Sequence, residues 1–316
     1  MKQYGMALFF VLSIIFLMNS LIYISHNYLL DIKYFSEIYK RKHESKWPLL
    51  AVEHVFLKGA VKDLSKKYSY NRMLWLFNSS DVIKLNDKEY RVKMVDDTNC
   101  FNTNALPLSL TDNKTLIDSY HWQVLNKLLL ASGISEKKTK DIITFIIERV
   151  SLIKESNDFS LEISELSKED IIYFLSSHND DIYSKVVPML CHRKDNELLI
   201  NINSLDIRHV KFVRAMLLNI LSEKDIENLI SSRPDDGWEN NLSLYNFIHN
   251  SSSLSKDDMK TLQNIIISGF LSDRYYSRLL LWTDDYGHYQ LVSDLLITQD
   301  DITVLSRSYM SKGLYP

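Results

Sequence analysis

Residues that could do chemistry are present in this chain, but their spacing matches no catalytic or metal-binding motif. The nine histidines are scattered, and none forms the H-E-x-x-H pattern that binds zinc. The sequence has no G-x-S-x-G nucleophile motif, no Walker phosphate loop and no G-x-G-x-x-G dinucleotide motif. We therefore expect no enzyme, and we expect His121, His192 and His209 at surfaces or interfaces.

Adjacent aspartates recur along the chain. Carboxylates that converge can bind calcium or act as general acid and base. At their positions these pairs are more simply explained as turn and helix-cap residues, because Asp is favoured in both. These pairs include Asp96-Asp97, Asp180-Asp181, Asp235-Asp236, Asp284-Asp285 and Asp300-Asp301.

Cys100 and Cys191 are the two cysteines of the chain. In an oxidising compartment one disulfide is their natural state, whereas in a reducing compartment they would be two buried thiols. We favour the disulfide if the soluble part lies outside the cytoplasm. Closing a loop of this size stabilises a fold by up to about 4 to 5 kcal/mol on the chain-entropy model.

Composition indicates an ordinary folded protein that is not built to grip nucleic acid. The 316 residues are 46% apolar and 24% charged, which excludes a disordered chain. Basic and acidic residues nearly balance, with a net charge of -3, so the strong positive charge typical of nucleic-acid-binding proteins is absent.

The amino-terminal segment is long and apolar enough to cross a membrane. Residues 6–30 carry no charge, residues 6–24 are almost wholly apolar, and about twenty such residues span a bilayer core. A secretory signal peptide would need a small-residue cleavage site after this segment, and none follows. The basic residues after it would by themselves keep the rest of the chain in the cytoplasm: Lys33, Lys40, Arg41, Lys42 and Lys46.

The order of predicted elements is long helix, strands, helices, strands. One helix is expected to about residue 67, with a possible break at Pro48, followed by strands around 82–94. Helices are expected in 98–266, with starts marked by Ser167, Ser222 and Ser255. Three strands are expected after them, at 275–282, 289–298 and 302–310. We expect the last strands to join the first in one sheet, packed on the long helix. The helix also carries an apolar stripe, expected to contact neighbouring helices, that includes Ile32, Phe35, Tyr39, Leu50, Leu57, Val61 and Leu64.

One stretch suggests a helix-hairpin-helix module, as in membrane-anchored DNA receptors of competence systems. Asn201-Ile202-Asn203-Ser204 precedes two predicted helices, and Arg233-Pro234-Asp235-Asp236-Gly237-Trp238 follows them. Such modules bind phosphate through a glycine-rich turn, but the turn at 218–222 has no glycine. Acidic residues outnumber basic ones, seven to five, in 201–250. A structural or protein-contact role is favoured, and a DNA receptor is the alternative.

Taken together, these segments resemble the K-type minor pseudopilins of bacterial type II secretion systems. Gly5-Met6-Ala7-Leu8 before the apolar run resembles a prepilin leader, and the two motifs at 201–204 and 233–238 are the most specific match. Three further segments are similar to the family, namely residues 97–106, Pro188-Met189-Leu190-Cys191 and Asp273-Arg274-Tyr275-Tyr276. The order and spacing of these motifs, rather than any one of them, carry the resemblance.

The resemblance implies an α+β fold in which a pilin-like helix packs on an antiparallel sheet and a large all-α, SAM-like or helix-hairpin-helix-like domain is inserted between the strands. The implied parts are a leader (1–5), a transmembrane helix (6–30), helix and first strands (31–97), the insertion (98–266, in two subdomains of about 98–190 and 191–266) and final strands (267–316).

The resemblance also implies processing and partners. Prepilin peptidase would cut between Gly5 and Met6, and the new terminus would be N-methylated. Phe10 then occupies the fifth mature position, where major pilins carry a glutamate and K-type pseudopilins do not. A bridge between the two cysteines occurs in some family members. The expected partners are the I and J types, then the H type and the major pseudopilin, with a single-pass inner-membrane anchor, a periplasmic soluble part and no nucleic acid.

The family's calcium site has no clear counterpart. Family members carry a long loop of closely spaced aspartates, but the corresponding stretch, 148–159, is shorter and has no D-x-D. We therefore assign no metal ligands and expect no cofactor, with calcium as the ion that the resemblance would allow.

Overall fold

The computed structural model describes residues 2–64, 77, 80–106, 119–155, 185–191, 193, 195–283, 289–298 and 301–311. Its helices include α1 (Lys2–Leu64), α2 (Tyr120–Ala131), α3 (Glu136–Glu155), α4 (Val210–Met216), α5 (Glu223–Ser231), α6 (Asn241–Ser251) and α7 (Lys256–Gly269). Its strands are β1 (Ser80–Leu85), β2 (Lys88–Asp96), β3 (Phe101–Asn102), β4 (Leu190–Cys191), β5 (Ile200–Asn201), β6 (Phe270–Leu271), β7 (Arg274–Trp282), β8 (Tyr289–Thr298) and β9 (Ile302–Ser311).

The sheet joins the first strands of the chain to the last. Five antiparallel strands follow the order β1-β2-β7-β8-β9, so that β2 lies beside β7 although the helical region separates them in sequence. The turn between β1 and β2 places Asn86 and Asp87 at φ 51° and 60°. Asn and Asp tolerate this left-handed conformation, which a two-residue hairpin of this kind requires.

The second half of α1 packs on this sheet. Leu49 and Val52 are fully buried against a cluster that contains Val92, Leu279 and Leu295. Leu50, Leu57 and Val61, which the sequence analysis placed on a stripe with Ile32 and Phe35, pack partly buried against the same cluster. This half of the stripe therefore serves the chain's own core, whereas Ile32, Phe35 and Tyr39 stay exposed.

Of the two interpretations that the sequence left open, one helix or two with a break near Pro48, the structure shows one helix, because α1 continues through this residue. Proline removes one helical hydrogen bond and usually kinks a helix. Here the chain on both sides is held to the sheet. Ser45 hydrogen-bonds the Tyr309 hydroxyl, and Leu49 lies in the core directly after the proline. These tertiary contacts outweigh the local preference.

The helical region between β2 and β7 has its own apolar core. Trp122, Leu128, Phe212 and Ile266 are among its fully buried members. Short parallel pairs, β3 with β4 and β5 with β6, tie its distant segments together. Ser222 and Ser255 cap α5 and α7 as the sequence predicts, while Ser167 lies outside the described residues.

The predicted α+β class, with a long amino-terminal helix on an antiparallel sheet and a helical region inserted between strands, is confirmed. The final three strands match the predicted runs at 275–282, 289–298 and 302–310 to within one residue at each end. The domain boundaries remain predictions.

Candidate interaction surface

The first half of α1 is an apolar rod with nothing packed on it among the described residues. Phe9, Phe16 and Leu21 are 70%, 76% and 55% exposed, and the most apolar stretch of the helix has no buried residue. It is the one helix in the described part of the chain with the length and apolarity to cross a membrane. This half of α1 therefore fits a membrane anchor.

Beyond the apolar rod, α1 has an inner and an outer face. Leu49 and Val52 on the inner face are fully buried, whereas Trp47 and Val55 are 61% and 53% exposed. We call Trp47 and Val55 the outer face of α1. Large apolar side chains on an exposed helix face are typical of a surface that another helix covers.

A buried carboxylate fixes which face of α1 points inward. Glu53 is 2% exposed and accepts hydrogen bonds from the Ser293 hydroxyl at 2.5 Å and from Arg307 Nε at 2.8 Å. A buried charge is costly unless it is paired and hydrogen-bonded, so this contact specifies one rotation of the helix on β8 and β9. This contact was not predicted, although an acid between apolar residues of the stripe was the available signal.

The junction between the sheet and the helical region is built around Arg193. Its side chain is 4% exposed and pairs with Asp195, Nε to Oδ2, at 3.0 Å. Its other nitrogens donate to the carbonyls of Thr98 at 3.2 Å and Glu197 at 2.7 Å, and the guanidinium lies 4.3 Å from the centre of the Tyr276 ring. Because arginine keeps its charge when buried, it can join a strand end to loops in this way. The role of Arg193 was not predicted from the sequence.

A disulfide closes the same junction. Cys100 and Cys191 are bonded, next to the β3–β4 pairing of Asn102 with Cys191. Close by, Arg278 pairs with Asp97 at 3.1 Å and with Asp294 at 3.1 Å, which links β7 to β8 and to the end of β2. Covalent, ionic and hydrogen-bonded contacts therefore hold the insertion at one end of the sheet.

The acidic pairs within the described residues do not converge. Asp96 Oδ1 accepts from the Thr98 amide at 2.8 Å, and burial raises the pKa of this carboxyl from 3.8 to about 6. Asp97 pairs with Arg278, whereas Asp235 and Asp236 are exposed in a loop. No cluster of three His, Cys, Asp or Glu in the described parts of the chain could hold a metal ion. Asp180-Asp181, Asp284-Asp285 and Asp300 lie outside the described residues.

The hairpin turn after α4 lacks the chemistry of a phosphate site. Leu218 and Asn219 adopt φ of 52° and 63°, the conformation that glycine usually provides. Their amides donate to the carbonyls of Ala215 and Arg214, and the Ile220 amide donates to Leu217. Amides that are bonded within the turn are not available to a DNA backbone.

The two motifs that suggested the DNA module brace each other. Asn203 accepts from the Trp238 amide at 2.6 Å and donates to the Trp238 carbonyl at 2.9 Å. Arg233 donates to the carbonyls of Asn203 and Leu205. Gly237 lies at φ 81°, and a Cβ there would come within 2.8 Å of the Asn203 side chain. These residues form a structural brace, and their spacing reflects that contact.

The remaining predicted residues have unremarkable surroundings. Gly5, Met6 and Phe10 lie in α1, and Phe10 is 65% exposed. His121 and His209 are half-buried, and His209 accepts from the Asp206 amide at a helix start, while His192 lies outside the described residues. In the stretch 148–159, residues 148–155 belong to α3 and 156–159 lie outside the described residues.

Comparisons with known proteins point in one direction. The chain is 26% identical to the putative type II secretion system protein K of Escherichia coli (strain K12) over 45% of its own length, and it spans 48%, about half, of that relative. It is 22% identical to the type II secretion system protein K of Pectobacterium carotovorum subsp. carotovorum, over 68% of each chain. No protein-family model matches. The DNA-receptor alternative gains no support from these relatives.

The fold has a solved counterpart. A chain of the crystal structure of the GspK–GspI–GspJ complex from the enterotoxigenic Escherichia coli type 2 secretion system superposes with a TM-score of 0.58 at 15% identity. The match covers 85% of this chain and 97% of that one. The sequence relatives named protein K and the shared fold both support the resemblance found in the sequence, that to the K-type minor pseudopilins of type II secretion systems.

Proposed function

We propose that this chain is a minor pseudopilin of a type II secretion system. It would be anchored in the inner membrane by the first half of α1, with the sheet and the insertion in the periplasm. The observation that carries the proposal is the combination, in a homologue of K proteins, of an exposed apolar rod with a helix-on-sheet platform. The disulfide Cys100–Cys191 supports the periplasm, because disulfides persist in oxidising compartments.

The proposed mechanism is packing rather than catalysis. The inner face of α1 is covered by the chain's own sheet, which leaves the outer face to neighbouring helices. Burying apolar surface yields about 25 cal/mol per Å², so a few such side chains are enough to bias assembly. The partners that we propose are the other minor pseudopilins, first the I and J types, as in the complex to which the fold is similar.

We place the chain at the tip of the fibre, where it would start assembly. In major pilins the glutamate at the fifth mature position pairs inside the membrane with the terminal amine of the subunit ahead. This chain has Phe10 there, which suits a subunit with no neighbour ahead, because an unpaired carboxylate in hydrocarbon is costly. The inserted helical region adds bulk that would block growth above it.

The basic residues that follow the apolar rod favour the opposite orientation when they are counted alone, but they do not decide it. The positive-inside rule counts short loops near the membrane, and large domains translocate largely regardless of such charges. Lys40 also pairs with Glu44 on the next turn of α1. The soluble part that follows is such a large domain.

Charging the outer face of α1 tests the proposal. Val55→Asp should abolish co-purification with the I- and J-type pseudopilins, since it removes an apolar contact and buries a charge in the interface. The protein's own thermal unfolding should change little, because Val55 is 53% exposed. The measurement is recovery of the partners with the tagged full chain from detergent-solubilised membranes.

The chain offers a close control. Val82 on β1 is 54% exposed, so Val82→Asp makes the same change at the same exposure and should leave recovery unchanged. Leu57→Asp should instead lower the melting temperature, because Leu57 packs on the sheet. Equal recovery of the partners by the Val55 and Val82 variants would refute packing through the outer face.

A further inference from the structure

A groove in the helical region remains without a role in the proposed function. It lies between the start of α6 and the end of α7, beside the connection that enters β7, and it has a volume of about 500 Å³. Ligand clefts commonly have volumes of about 300 to 1,000 Å³. Its surface includes Tyr245 and Leu271, and Leu242 and Ile267 stand at its edges.

Two apolar side chains of the groove are exposed to solvent. Leu242 and Ile267 are 61% and 65% exposed. The described residues between β2 and β7 include four large apolar side chains that are strongly exposed. Two of them, Leu242 and Ile267, border this groove, and the other two are Leu130 and Ile207. Apolar side chains gathered on a surface and rimmed by polar groups are typical of protein-interaction sites.

Hydrogen bonds hold the walls of the groove in place. The Asn241 side chain donates to the Phe270 carbonyl at 2.5 Å, which ties the start of α6 to the end of α7. The Ser272 hydroxyl donates to the Glu239 carbonyl at 3.0 Å and joins the two loops at the rim. A groove with fixed walls loses little conformational entropy when a ligand binds.

The charged residues that line the groove are both acidic. Glu239 and Asp273 are the charged residues among those that line it, both are exposed, and neither has an ion-pair partner in the described part of the chain. Two carboxylates beside an apolar surface repel nucleic acid and anionic lipid. They attract lysine and arginine, which can lay their apolar stems along the groove.

We propose that this groove docks a segment of another protein that carries aliphatic side chains flanked by lysine or arginine. Leu242, Ile267 and Tyr245 would contact the aliphatic side chains, while Glu239 and Asp273 would pair with the flanking cations. The groove is open along one side, which suits a peptide segment better than a small molecule that must be enclosed. The site is separate from α1, so the proposal does not depend on the assembly role.

Three short synthetic peptides test the proposal by fluorescence anisotropy on the purified full chain in detergent. The first has two leucines flanked by lysines, the second replaces the lysines with glutamates, and the third replaces the leucines with serines. We expect the first to bind most tightly, and we expect high salt to weaken its binding. Equal binding of the lysine and glutamate peptides would overturn the proposal.

Variants locate the binding site. Two groove variants should each weaken binding of the lysine peptide by about tenfold. The first is Ile267→Ser, and the second is the double variant Glu239→Gln with Asp273→Asn, which removes both negative charges. Ile207→Ser is the matched control, since Ile207 is 63% exposed away from the groove, and it should bind as the wild type does. Peptide that partitions into detergent contributes equally to every variant. If the groove variants bind like the wild type, the groove is not the docking site.

Discussion

Single residues in two places, the junction and the contact of α1 with the sheet, carry charge where water is largely excluded. Arg193 and Glu53 are buried charged groups whose partners are arranged around them, and removing one member of such a pair leaves the other uncompensated. Glu53 had a sequence signal, an acid among apolar residues of the helix stripe, whereas nothing in the sequence indicates that Arg193 has distant partners such as Tyr276. Cys100 and Cys191 could be paired in advance, because they are the two cysteines of the chain.

Asp96 gives the junction a dependence on pH. Because burial raises the pKa of this carboxyl to about 6, the folded protein holds a proton that the unfolded chain releases near pH 4. The free energy of unfolding should therefore fall as the pH rises from about 4 to 6, and the contribution of the protonated form is lost above that range.

Asp96→Asn removes this titration while keeping an oxygen for the Thr98 amide. We expect the variant to be more stable than the wild type by about 1 to 3 kcal/mol at pH 7, with a flatter pH profile between 4 and 6. Urea unfolding at a series of pH values measures both effects. Asp236→Asn, at an exposed site, is the control, and a wild-type slope in the Asp96 variant would contradict the assignment.

The helices and strands differ in how completely residues close in sequence determine their structure. The hairpin of β1 and β2 and the caps of α5 and α7 follow from residues within a few positions of one another, and they were predicted. The rotation of α1 about its axis was not predicted. An apolar stripe indicates that one face of a helix is covered, but it does not indicate whether the chain's own sheet or another helix covers it. Leu57 therefore seemed available to partners although it packs on the chain's own sheet.

The disulfide is the covalent tie between the exit from the sheet and the helical region. Replacing both cysteines with alanine should lower the free energy of unfolding by about 2 to 5 kcal/mol, because a loop of 91 positions is no longer closed in the unfolded chain. Denaturant unfolding of the oxidised, reduced and doubly substituted proteins measures this. The reduced wild type should match the alanine variant, and equal stability of all three would contradict a stabilising role.

At the scale of the whole molecule, the order of segments was the most predictable property. Strands at both ends of a helical region suggested one sheet, and β2 does pair with β7. The residues that build the groove could not be foreseen, since Leu242, Ile267 and Asp273 come together only through the packing of α6, α7 and the loop before β7. No spacing pattern in the sequence predicts that these residues lie close together.

Processing of the amino terminus is the whole-molecule prediction. In a host with prepilin peptidase, the purified protein should lack its first five residues and carry one methyl group on Met6, as the resemblance implies. Intact-mass spectrometry measures both changes at once. The same chain from a host without the peptidase serves as control, and an identical mass from the two hosts would contradict the pseudopilin assignment.

Because the insertion lies between β2 and β7 in the sequence, it affects the order in which the sheet can form. The Thr98 hydroxyl, just past β2, donates to Tyr276 in β7, across 178 positions of sequence. While the chain is being synthesised, one edge of the β1–β2 hairpin stays unpaired until β7 has been made. A chain cut short within the helices would keep that edge open, where quality-control proteases and foreign strands could reach it. Closure of the sheet therefore requires that the chain has been made through β7.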